Sequence, residues 1–74
     1  MSDLSYFEDR AVGMRADVDA GRVEVRFGRE PFVLWIDAGA IELVDRVANA
    51  VDEKRTVNVA WRADTNQIVS VVAR

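Results

Sequence analysis

The sequence predicts an α+β fold: a two-layer arrangement of about five mainly antiparallel strands in the order β-β-β-α-β-β, with one amphipathic helix packed on one face. Three observations predict it. Apolar and polar residues alternate with period two in the stretches 12–18, 22–27 and 56–62, one stretch at 38–53 repeats with the helical period, and short polar turns separate them.

Val12, Met14, Ala16 and Val18 alternate with Gly13, Arg15 and Asp17, the pattern of a half-buried strand. Asp19-Ala20-Gly21 supplies a tight turn, after which Val23, Val25 and Phe27 alternate with Arg22, Glu24 and Arg26. Two such runs joined by a short Gly-containing turn read as a hairpin. The only proline, Pro31, stands in a polar turn before Phe32-Val33-Leu34-Trp35-Ile36, which is apolar at every position and so reads as a strand buried on both faces.

Asp37 is a candidate N-cap, its carboxylate able to accept from free amides of the first helical turn. Placed at 100° per residue, Ala40, Ile41, Leu43, Val44, Val47, Ala48, Ala50 and Val51 gather on one side of a helix over residues 38–53. Glu42, Asp45, Arg46, Asn49, Asp52 and Glu53 fill the other, with Glu42 four residues before Arg46 as a surface ion pair. Val57, Val59 and Trp61 then face one way along a further strand, and Ala63-Asp64-Thr65-Asn66 turns the chain. The last run, 67–73, is apolar on both faces. Residues 1–10 read as a flexible tail or a short helix, since Ser5 and Glu8 have the spacing of a capping box.

The chain has 74 residues, enough for a single domain over 1–74 and no second core. Half of its residues are apolar and 31% are charged, the balance of a globular protein. Cysteine is absent, and the amino terminus Met1-Ser2-Asp3 shows no basic region followed by an apolar stretch, so a cytoplasmic protein with no membrane span is expected. Lys54 is the sole lysine against many arginines, a usage expected of a GC-rich bacterial genome or its phages.

Without His and Cys, the commonest general base, metal ligand and nucleophile are all missing, and the four glycines form no phosphate loop. The carboxylates Asp17, Asp19 and Asp37 sit where turns and caps favour Asp. No enzyme activity, cofactor or metal is therefore expected. Arg15, Arg22 and Arg26 share one exposed sheet face and are candidate nucleic-acid contacts, but Asp17 and Glu24 lie among them, and interleaved charges favour cross-strand ion pairs.

Function is read from a mismatch. One helix covers one face of a sheet, yet two strands are apolar on both faces, which leaves Val33, Trp35, Val69 and Val71 as a candidate interface. The alternative leaves Trp35 and Trp61 in the core under Tyr6 and Phe7. The expected function is thus a non-enzymatic protein-interaction module, a homodimer that binds another protein, with a nucleic-acid-associated regulator as the alternative.

Overall fold

The alternating stretches become strands in the computed structural model, which describes residues 4–29 and 33–73. In chain order the elements are β1 (Leu4–Asp17), β2 (Arg22–Phe27), β3 (Leu34–Asp37), α1 (Ile41–Glu53), β4 (Thr56–Arg62) and β5 (Gln67–Ala73). The expected α+β class and element order hold. The sheet is mixed, antiparallel at every seam except the parallel pairing of β3 with β5.

The sheet does not lie open. Its strand order, β1-β2-β3-β5-β4, returns to β1 and closes a barrel. Closure depends on the length of β1, whose first half, from Leu4 to Arg10, pairs with β4 while Ala11 to Asp17 pair with β2. Between the halves the register slips at Ala11/Gly13, so Val12 is an extra residue, and a bulge of this kind bends a strand enough to serve two neighbours. A closed five-stranded Greek-key barrel is the architecture of the OB fold.

Closure removes the mismatch on which the interface expectation stood. The inner face of a barrel packs on itself, so strands need no second layer to bury their apolar side. Val25, Leu34, Ile36, Val57, Val59, Ile68 and Val71 meet in the interior with at most 1% of their surface exposed. A second slip, between Ala60 and Trp61, explains why β5 reads as apolar on both faces: Ile68 pairs with Trp61 and Ser70 with Ala60, leaving Val69 as the extra residue. The phase of alternation changes there, so Ile68 and Val71 both point inward. Phe7 packs edge-on against Phe27, at 4.9 Å between ring centres, and against Trp61 at 6.5 Å.

The helix lies against β1 and β5, with Val47 and Ala50 buried and Leu43, Val44 and Val51 packed on the core, while Ile41 and Ala48, expected on the apolar side, are exposed. It begins at Ile41, later than expected, because Asp37 is still in β3, paired with Arg22. Ala38 N donates to Gly21 O and Ala40 N to Asp37 O, so residues 38–40 form a turn. The N-cap is Ala40 with no side-chain cap, which corrects the assignment of Asp37. Lys54 ends the helix in the left-handed region at φ 57°, and Arg55 N donates to Ala50 O.

Residues 4–10 are strand, which corrects the tail or short helix expected there. The cause is Asp9, a carboxylate at an inward position that breaks the apolar alternation of Phe7 and Ala11. Residues 1–3 and part of the Pro31 turn lie outside the described residues. No helix among the described residues is long and apolar enough to cross a membrane.

Candidate functional site

The outer surface of β1, β2 and β3 carries polar groups in register. Register places Asp17, Arg22 and Asp37 in one row across the strands, Arg15, Glu24 and Trp35 in the next, and Gly13 and Arg26 in a third. Their alternate neighbours Met14, Val23, Val25, Leu34 and Ile36 are buried or half-buried, so the alternation of the hairpin fixes what faces out. The sequence therefore located Arg15, Arg22 and Arg26 on one face correctly.

Trp35 joins them. Its indole is half-buried, its Nε1 donates to the carbonyl of Thr65 at 2.7 Å, and its backbone N donates to Asn66 O at 3.0 Å, which ties β3 to the turn before β5. The Arg22 guanidinium carbon sits 5.1 Å from the centre of the Trp35 ring, a cation–π contact. Arg22 Nε is buried with no acceptor. A cleft of about 190 Å³ runs beside the pair, bounded by Glu24, Val33, Thr65 and Asn66. Sequence reasoning missed this union because Arg22 and Trp35 meet only through the β2–β3 register, and the 63–66 turn reaches them only through the β3–β5 seam.

The interleaved charges do not form the cross-strand ion pairs expected of them. Among the described residues the one ion pair joins Arg29 to Asp9, elsewhere on the barrel. Arg46, expected to pair with Glu42, instead donates to the carbonyl of Val71 at 3.3 Å and so occupies a backbone acceptor of β5.

The expected interface residues do not form one patch. Val71 is fully buried in the core, Val69 is half-buried at the bulge, Val33 is 42% exposed and Trp35 is engaged as described. Val71 is thus corrected from interface to core. An apolar groove of about 490 Å³ lies instead across β1, β4 and β5, where Tyr6 and Val72 flank Ala60 and Ser70. Tyr6 is 73% exposed there.

Asp9 is the buried carboxylate, 5% exposed. Its Oδ1 accepts from Arg10 N and its Oδ2 from Arg29 N, both at 2.7 Å, while Arg29 Nε stands 3.5 Å from Oδ1. These bonds fasten the segment after β2 onto β1. No group of three or more potential metal ligands gathers among the described residues.

No family model and no curated protein matches the chain. A solved structure does.

The barrel is similar to part of pro-protein-glutaminase. In the crystal structure of a mutant of that protein the likeness has a TM-score of 0.83 at 19% sequence identity, and it covers 97% of this chain. The chain spans 26% of the length of that one. At this identity the likeness shows the fold. It also corrects the expectation of a non-enzymatic interaction module, and with it the nucleic-acid regulator offered as the alternative, because the same barrel is carried within the chain of an enzyme.

Proposed function

We propose that these 74 residues are the substrate-holding barrel of an enzyme that acts on proteins, with the catalytic groups supplied outside them. The observation that carries the reading is the likeness to pro-protein-glutaminase over nearly the whole of this chain and about a quarter of the other. Composition supports the division of labour, since a chain with neither Cys nor His has no thiol nucleophile and no imidazole base to offer.

The outer face of β2 and β3 with the 63–66 turn is the surface on which the polypeptide lies. In OB barrels this face and the adjoining loops are the usual ligand surface, a fold-level analogy. Here it presents a fixed indole, a guanidinium stacked on it and a cleft beside the turn. Planar peptide groups stack on such a pair, and side-chain donors beside it can bind backbone carbonyls.

Calorimetric titration of the chain with an unfolded, glutamine-rich polypeptide tests this. Binding that weakens at least about tenfold in Trp35→Ala, a loss of about 1.4 kcal/mol, and is unchanged in Val72→Ala is the expected result. Absence of binding, or equal binding by both variants, overturns it.

A further inference from the structure

β2 runs between β1 and β3, and its outward residues are Arg22, Glu24 and Arg26. The charges along the strand therefore read plus, minus, plus at every second residue, a step of about 6.7 Å. Asp17 and Asp37 flank Arg22 in register, and Arg15 flanks Glu24. None of these groups has an ion-pair partner among the described residues. Arg22 lies on Trp35 with its Nε lacking an acceptor, and Arg26 extends over Gly13, where an added Cβ would stand 3.4 Å from its Nη2. A hollow of about 330 Å³ opens between Arg15, Glu24, Arg26 and Val33. The row is thus charged and ordered in register, and one of its polar atoms, Arg22 Nε, is buried without an acceptor.

We propose that this row reads an extended polypeptide of mirrored pattern, with an acidic residue, a basic residue two positions on and a second acidic residue two further, laid along β2. The inference rests on the polypeptide reading above and names the class of segment that the site takes. An extended segment repeats its side chains with the same two-residue step as the strand beneath it, so its two carboxylates reach Arg22 and Arg26 while its cation reaches Glu24. Carboxylates match the fork of a guanidinium, so the two acidic residues are the natural partners of Arg22 and Arg26. A uniform polyanion fits poorly, because its phosphates would meet Glu24, Asp17 and Asp37 as well as the arginines. Exposed pairs are individually weak, so recognition requires all three in register.

The test compares short labelled peptides with the cores Glu-Thr-Lys-Thr-Glu, Lys-Thr-Glu-Thr-Lys and Gln-Thr-Gln-Thr-Gln, threonine being chosen to favour the extended state. Fluorescence anisotropy with the intact chain at low salt should show the first bound about tenfold tighter than the second. That order runs against overall charge, since a chain of net −3 attracts the more basic peptide. Exchanging the pattern in one variant, Arg22→Glu with Glu24→Arg and Arg26→Glu, should reverse the preference. The wild-type comparison decides by itself if that variant fails to fold. Equal binding of all three peptides overturns the charge pattern and leaves the polypeptide reading standing, whereas binding of none overturns both. A single-stranded oligonucleotide bound more tightly than every peptide also overturns the inference.

Discussion

Replacing Asp9 by Asn should cost more stability than removing the arginine paired with it. The two carboxylate oxygens of Asp9 divide their work, Oδ1 accepting from Arg10 N and Oδ2 from Arg29 N at 2.7 Å each, in a site 5% exposed. Asn keeps the volume but has one acceptor oxygen, so its amide nitrogen would face one of those N–H groups, donor against donor. Loss of a charge-assisted bond together with a buried unpaired N–H is worth about 2 to 3 kcal/mol. The side chain of Arg29 is 77% exposed, and an ion pair with so wet a partner contributes about 0.5 kcal/mol. A domain of 74 residues holds about 4 to 11 kcal/mol in all, so the Asn variant should melt about 10 to 20 °C lower. Urea titration followed by far-ultraviolet circular dichroism on Asp9→Asn and Arg29→Ala measures both. The reasoning is refuted if Asp9→Asn lies within about 0.5 kcal/mol of the wild type, or if Arg29→Ala costs as much.

Two further substitutions probe the barrel. Trp35→Phe removes the donor to Thr65 O at the β3–β5 seam, where one register pair, Trp35 with Gln67, joins the strands; it should cost about 1 kcal/mol. Hydrogen exchange should quicken at the Trp35 amide and stay unchanged along the β1–β4 seam, since the first opening is local. Gly21→Ala places a side chain at φ 67° with nothing within 4 Å of the new Cβ, so its cost of about 1 kcal/mol comes from backbone strain alone. Gly21→Asn, which tolerates that conformation better, should lose less in the same urea assay.

Much of the fold was legible because local chemistry and final structure agree. Asp19-Ala20-Gly21 and Ala63-Asp64-Thr65-Asn66 turn where their residue types ask them to, and the runs on either side of each are paired strands. Closure was not legible. It depends on the length of β1 and on the register slip at Val12, and a valine in a bulge, there as at Val69, looks in sequence like a valine in a strand. Asp9 hid the first half of β1, since an inward carboxylate satisfied by two backbone amides reads as a break in the pattern. Asp37 has the residue type of a good cap, but as the last residue of β3 it pairs with Arg22 of β2 and stays in the strand.

The candidate site was half legible. A hairpin of known register puts Arg15, Arg22 and Arg26 on one face without further information. The sequence offers Trp35 as a candidate interface residue, but the contacts that fix it come from Arg22 and Thr65, 13 and 30 residues away in the chain. The absence of Cys and His suggested a protein apart from catalysis, whereas the barrel resembles part of an enzyme's chain.

A chemical-shift map of the isotope-labelled chain, recorded as an unfolded polypeptide is added, addresses the proposed role most directly. Shifts gathered on residues 22–26, on Trp35 and on the 63–66 turn are the predicted result. Shifts gathered in the Tyr6–Val72 groove or on the exposed side of α1, or a spectrum that does not change, would contradict it.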